Sequence, residues 1–194
     1  HFGPTAIHEA WDEFNLWEPE EEEGFDPGTP HMQVFAPWFL YDWLPDPEDT
    51  QVPPRARTLT AAQAHLRTMG SRLDPLTKRY IESCVAASFS FHEILRCEPG
   101  RGFRLRDVLL GSEIDVLERS GSADADIGTL LFAKVVPIDG IAVLDGCTPV
   151  RIPPKYKPEI IEFRAMLRTQ RELPDADDPR EYDIELREIY LRIA

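Results

Sequence analysis

The chain has 194 residues, 42% hydrophobic and 29% charged, values of a globular protein large enough for one domain. Its formal net charge of −14 argues against a general nucleic-acid or anionic-membrane binder, because phosphate backbones are held mainly by Lys and Arg. No run of about eighteen apolar residues is present to span a membrane, and no leader pattern of a charged segment followed by an apolar one opens the chain.

Acidity is concentrated at the start, where residues 1–58 carry thirteen acids against two bases, Arg55 and Arg57. Residues 5–16, TAIHEAWDEFNL, predict a short helix with Thr5 as N-cap and Ile7, Trp11 and Phe14 on one face. The run from Glu18 to Pro30 is charged and rich in Gly and Pro, and reads as an extended loop. FAPWFLYDW, residues 35–43, reads as a short helix with Pro37 in its first turn, where the missing N–H costs nothing. It is apolar nearly all round, which predicts burial. Phe35, Trp38, Phe39 and Trp43 are expected to form a structural plug, stapling the N-terminal arm onto the helices and β region that follow. After a loop rich in breakers, Thr60 and Gln63 form a capping box that opens a helix to about Met69, closed by Gly70. Asp74-Pro75 starts the next helix, to about Ala87, with Leu76, Tyr80 and Cys84 on one stripe.

From Ser88 to Pro154 the texture is β. FSFHEILRC places Phe89, Phe91, Leu95 and Cys97 on an expected inward face, with Glu93 breaking the pattern. After a turn at Glu98–Gly102, FRLRDVLL sets Phe103 and Leu105 against Arg104 and Arg106. Gly111-Ser112 turns into EIDVLER, and TLLFAKVV is nearly all apolar and reads as a central strand. Asp139-Gly140 predicts a type I′ hairpin, and IAVLDG and PVRIP complete about six short strands. Pro158 starts a helix with Ile160, Phe163 and Leu167 on a stripe. Asp178 to Glu181 is a capping box that launches another, with Tyr182, Leu186, Ile189, Tyr190 and Ile193 on one face. The fold class this predicts is α+β: N-terminal helices, a small antiparallel β-barrel or curled sheet, then C-terminal helices. The segments 1–58, 59–154 and 155–194 are expected to form one compact domain.

The order of an EAWDEF helix, PWFLYDW, and DVLLG followed by DIGTLLFAKVVP resembles a group of bacterial proteins without an assigned activity. These often carry a SEC-C motif, the short zinc-binding element also found at the tail of the SecA translocase. The resemblance covers roughly residues 6–155. The Cys-rich zinc element is absent from this sequence, so no residue here inherits a zinc role.

His8 and Asp12, at i and i+4 beside Glu9 and Glu13, are the metal-ligand candidates, although the pattern is not HExxH. The plainer reading is a solvated helix face. His92 and Glu93 are candidate binding residues, but neighbours on a strand point to opposite faces and cannot act jointly. A buried Glu93 would have a raised pKa suited to acid–base work; otherwise it is bonded to backbone or to an arginine. Asp107, Asp115, Asp124 and Asp126 follow no EF-hand pattern. Cys84, Cys97 and Cys147 form no CxxC pair, so reduced thiols are expected, with neither disulfide nor zinc. Arg104 and Arg106 are the basic binding candidates, in a cluster with Arg96, Arg101 and Arg119. A small barrel with such arginines can bind single strands. Here Glu113, Asp115 and Glu118 lie close in sequence, which favours salt bridges instead.

No convergent catalytic set emerges. The sequence predicts a non-catalytic protein-interaction or adaptor domain of the bacterial cytoplasm, with a protein partner, no cofactor, and neither nucleic acid nor membrane. The alternatives are a metal-dependent hydrolase or nuclease using carboxylates with His8 or His92, and a nucleic-acid-binding small barrel.

Overall fold

The computed structural model describes residues 2–17, 24–46, 57–149, 151–169 and 179–194. They are helical at both ends with a closed five-stranded barrel between, an α+β chain, and fall into two compact units, residues 1–86 and 87–194.

The first unit holds helices α1 (Pro4–Asn15), α2 (Met32–Tyr41), α3 (Ala61–Met69) and α4 (Pro75–Ala86). Helix α1 begins one residue before the expected cap Thr5: Pro4 takes the first turn, where its fixed φ suits the helix. Leu16 closes it in the left-handed region at φ 58°. Helix α2 begins earlier than FAPWFLYDW suggests, so Pro37 lies in its interior rather than in its first turn. Interior proline costs about 3 kcal/mol. Burying Val34 and Phe35 completely, each contributing about 1.5–3 kcal/mol, offsets that cost. Helix α3 starts with the capping box read from sequence: Gln63 N–H donates to Thr60 Oγ1 at 3.3 Å, and Thr60 N–H to Gln63 Oε1 at 3.0 Å.

The core of this unit is aromatic. Phe35 sits edge-on to Trp11 at 4.9 Å and to Phe14 at 5.4 Å, while Trp38 lies 5.4 Å from Phe14. Phe35, Trp38 and Trp43 are buried; Phe39 is half-buried and stacks on Trp43 at 5.4 Å. Trp43 Nε1–H donates to Glu13 Oε2 at 2.8 Å, tying the end of α2 to α1. Helix α2 is not buried all round, since Gln33 and Leu40 face solvent.

The second unit holds strands β1 (Phe89–Glu98), β2 (Gly102–Asp107), β3 (Glu113–Leu117), β4 (Leu130–Ile138) and β5 (Ile141–Cys147), then helices α5 (Lys157–Thr169) and α6 (Asp183–Ile193). The barrel order is β1-β2-β3-β5-β4, with β4 closing on β1. All pairs are antiparallel except β3 with β5, so the barrel is mixed rather than antiparallel. The reason is the long connection from Glu118 to Thr129. It carries the chain across to pair β4 with β1, and the β4–β5 hairpin then returns beside β3. This is a five-stranded Greek-key barrel, the architecture of OB-folds. The hairpin turns at Asp139 and Gly140, with φ 48° and 84°, the two positive values a type I′ turn requires.

The expected sixth strand, PVRIP, is reduced to a single bridge between Ile152 and Leu130. Pro149 and Pro153 on either side cannot donate to a ladder. The inward face of β1 is also opposite to that expected. Ile94 shares the barrel interior with Leu105, Val116 and Leu131, and the cross-strand pairings put His92 in the same phase. Phe89 and Phe91 lie outside, Phe89 stacked on Phe132 at 5.2 Å and Phe91 tilted against it at 4.9 Å, and Tyr190 of α6 covers Phe132 at 4.9 Å. A bulge between Ile94 and Arg96 then returns Cys97 to the interior.

All four tryptophans, Trp11, Trp17, Trp38 and Trp43, belong to the first unit, so their fluorescence reports on that unit. Trp38→Ala is expected to destabilise it by about 3–5 kcal/mol in urea titrations followed by fluorescence, as for a large aromatic removed from a packed core. A loss below about 1 kcal/mol would show that the ring carries little of the packing.

Candidate functional site

Strands β1, β2 and β3 turn a face outward whose charges alternate in sign. The pairing register sets Glu93 beside Arg106, Arg106 beside Glu113, and Arg104 beside Asp115. Lys157, at the start of α5, donates to Glu93 Oε1 at 2.6 Å, and Arg106 lies 3.8 Å from Glu93 Oε2. Arg106 and Arg104 both reach Glu113, at 2.9 and 3.3 Å. Arg104 also holds Asp115 at 2.7 Å, Arg96 lies between Asp115 and Glu98, and Arg101 touches Glu98 at 3.3 Å. The ladder therefore runs from Lys157 to Arg101 with a carboxylate between each pair of cationic rungs or shared by them. Hydrogen bonds from Arg106, with a further share from Arg104, hold the Glu113 carboxyl below its usual range. The Asp115 carboxylate, with Glu113 behind it, keeps Arg104 more firmly protonated than usual.

An open groove of about 290 Å³ lies at the far end of this face. Its walls include Arg96, Arg101 and Arg104 with Glu98 and Asp115, and Leu117 and Ile141 line it from β3 and β5. Leu117 is 55% exposed and Ile141 49%, large values for aliphatic side chains beside a barrel. Gly102 lies at the base. A Cβ there would stand 1.9 Å from the Val116 carbonyl oxygen, so only glycine lets β2 approach β3 so closely.

The candidate residues separate. Arg104, Arg106 and Glu93 come together in the ladder, while His92 faces the barrel interior and is only 5% exposed. Asp107, its cross-strand neighbour, accepts from Ser90 Oγ at 3.0 Å and from the N–H groups of Leu109 and Leu110 at 2.8 and 2.9 Å. Burial pushes the His92 imidazole below its usual 6.5, offset in part by the Asp107 charge and by a backbone hydrogen bond to Ala133. Ser90, His92 and Asp107 are thus a buried polar knot. His8 and Asp12 stand on α1 in the other unit, where the exposed His8 ring meets Phe25 edge-on at 6.0 Å. Among the described residues no three His, Cys, Asp or Glu side chains group closely enough to hold a metal ion. The oxygen-rich set is dispersed: Asp107 is buried, Asp115 is in the ladder, and Asp124 pairs with Arg151. The three cysteines form no disulfide, and burial pushes the Cys147 thiol up to about 12.

Sequence reasoning missed Leu117 and Ile141. The available signal was phase: Leu117 lies out of step with Ile114 and Val116 on β3, and Ile141 directly follows the Asp139-Gly140 turn. Two buried cations were also missed. Lys134, wholly buried in the apolar run of β4, donates to the Ala87 carbonyl at 2.6 Å, and Arg187 of α6 pairs with Asp183 at 2.9 Å. Comparison with protein families, curated proteins and solved structures finds no match for this chain.

Two outcomes follow for the barrel. Because folding lowers the His92 pKa, the unfolded chain takes up the proton first as pH falls below about 6.5, so stability declines from there until the folded imidazole also titrates. Proton NMR of the five histidines is expected to show two imidazoles that titrate below 6.5, His92 and the partly buried His31, of which only the His92 signal is missing from His92→Phe. Assignment of a normal titration to His92 would contradict the buried knot. Gly102→Ala is expected to lower the unfolding midpoint, by far-UV circular dichroism, much more than Gly100→Ala, where φ is 72° and a Cβ meets nothing within 4 Å. The latter should cost only about 1–2 kcal/mol of left-handed strain; equal costs would contradict the close β2–β3 approach.

Proposed function

We propose that this chain is a non-catalytic interaction module of the bacterial cytoplasm, which docks a segment of a protein partner on the outer face of its barrel. The observation that carries this reading is the self-paired ladder. Lys157, Arg106, Arg104, Arg96 and Arg101 each meet a carboxylate of the same face, so little free positive charge is left for phosphates. A protein surface of mixed charge with exposed aliphatic side chains suits such a groove, because interfaces combine an apolar centre with a polar rim. Three cysteines that form no disulfide suit a reducing cytoplasmic setting. The likeness of PWFLYDW and DIGTLLFAKVVP to bacterial proteins that bear SEC-C elements supports the bacterial assignment.

The rival reading is a nucleic-acid barrel. Five-stranded Greek-key barrels bind oligonucleotides on the β2–β3 face between the β1–β2 and β4–β5 turns, which is where this groove lies. The paired charges argue against it, since affinity for phosphate backbones grows with the number of cations free to displace counterions. Generic single- or double-stranded DNA and RNA are therefore expected to bind more weakly than about 10 μM at physiological salt. A salt-sensitive sub-micromolar complex, lost in Arg104→Glu/Arg106→Glu, would overturn the module reading.

The direct test uses two baits, the full chain and its Leu117→Asp/Ile141→Asp variant. Both sites are about half-exposed, so the variant is expected to fold. A protein held by the first bait and lost from the second is the expected result. Identical protein sets on both baits would contradict a docking role for the groove.

A further inference from the structure

We infer that the groove takes an extended peptide segment carrying an acidic side chain with an aliphatic residue two positions away; this rests on the interaction-module reading above. Three observations define the occupant. The first is charge. The groove is lined by three guanidinium groups, Arg96, Arg101 and Arg104, and two carboxylates, Glu98 and Asp115, which leaves one cation in excess. That excess is most available at Arg101, whose side chain is 81% exposed and whose partner Glu98 is shared with Arg96. An incoming carboxylate can meet Arg101 there at little desolvation cost, because the guanidinium is already in water. A polynucleotide brings a phosphate with every nucleotide, and its next phosphate would face Glu98 or Asp115.

The second observation is apolar. Leu117 and Ile141 line the same groove, one from β3 and one from β5, both about half-exposed. An aliphatic side chain packed against both removes apolar surface of all three from water, at about 25 cal/mol per Å².

The third is main chain. In the β2–β3 ladder, Asp107 N–H donates to Ser112 O and Glu118 N–H to Arg101 O, at 2.9 and 3.1 Å. With the register fixed, alternation directs the N–H and C=O of Ile114 and Val116 toward β2 and those of Glu113 and Asp115 away from it. On that outer edge β5 pairs with β3 only at Leu117, opposite Val143. Asp115, which lines the groove, lies outside that single bridge, with its backbone N–H and C=O directed to the side on which an extended segment adds to a strand. Side chains two residues apart on such a segment share one face about 6.6–6.8 Å apart. The acid and the aliphatic residue then project on the same side, toward Arg101 and toward the Leu117–Ile141 pair.

The test is a selection with a phage-displayed library of random dodecapeptides on the full chain, subtracted against the Leu117→Asp/Ile141→Asp variant. A random single-stranded DNA pool is carried in parallel. Enriched peptides are expected to show Asp or Glu two positions from Val, Ile or Leu. A fluorescein-labelled synthetic winner should bind about tenfold more weakly to Arg101→Glu and nearly normally to Arg101→Lys, with added salt weakening it. Enrichment of neutral or basic peptides, indifference to Arg101→Glu, or no enrichment over the variant would each overturn the inference, as would preferential enrichment of DNA. If the two-bait experiment still finds a protein lost from the variant, only the peptide chemistry falls; if it too fails, the module reading falls with it.

Discussion

Strand β1 is the constraint on which the second unit depends. Its first half pairs with β4, from Phe89 to Glu93, and its second with β2, from His92 to Glu98, so one strand closes the barrel. A flat strand of ten residues cannot follow both partners. The bulge between Ile94 and Arg96 supplies the bend, as one extra residue does wherever a sheet must turn sharply. The same bulge decides which side chains go where. Before it, Ile94 faces inward while Phe89 and Phe91 pack on Phe132, which Tyr190 of α6 covers; after it, Cys97 faces inward and Arg96 joins the ladder. The charged face and the groove exist because this shift falls where it does.

The ladder contributes more to selectivity than to stability. Apart from Glu93, whose side chain is 13% exposed, its members are well exposed, and exposed ion pairs are typically worth less than about 1 kcal/mol each. Their consequence lies in what they exclude. A guanidinium bound to two carboxylates, as Arg104 is, must give one up before it can hold a phosphate. Stability rests instead on two layers of burial, with Ile94, Leu105, Val116 and Leu131 inside the barrel and Phe91, Phe132 and Tyr190 between barrel and helix. The acidity of the whole chain adds to the effect. Thirteen acids in residues 1–58 face two bases, a field that disfavours polyanions at any distance the Debye length leaves unscreened.

What was legible in the sequence was local. The Thr60–Gln63 capping box, the Asp139-Gly140 turn and the alternation of Phe103 and Leu105 with Arg104 and Arg106 each rest on neighbours a few residues apart, and each stands in the structure. What was misread needed the third dimension. Alternation along β1 locates an apolar face, but here both faces are buried, and the more aromatic one lies against a helix rather than in the barrel. Pro37 looks like a helix start until the burial of Val34 and Phe35 ahead of it is known. Lys134 and Arg187 look like surface cations, and only packing reveals that β4 and α6 enclose them. The parallel β3–β5 contact joins strands distant in sequence, so no local pattern announces it. The groove shares that cause: Leu117 and Ile141 meet only because the β4–β5 hairpin returns beside β3.

The phase of β1 is the central claim, because the ladder, the buried knot and the groove all follow from it. A nuclear Overhauser spectrum of the labelled full chain reads that phase directly. The account predicts cross-peaks from the Ile94 methyls to Leu105 and Leu131, and from the Phe132 ring to Phe91 and Tyr190. Cross-peaks from Phe91 to Leu105 and Val116, with Ile94 directed toward α6, would contradict it.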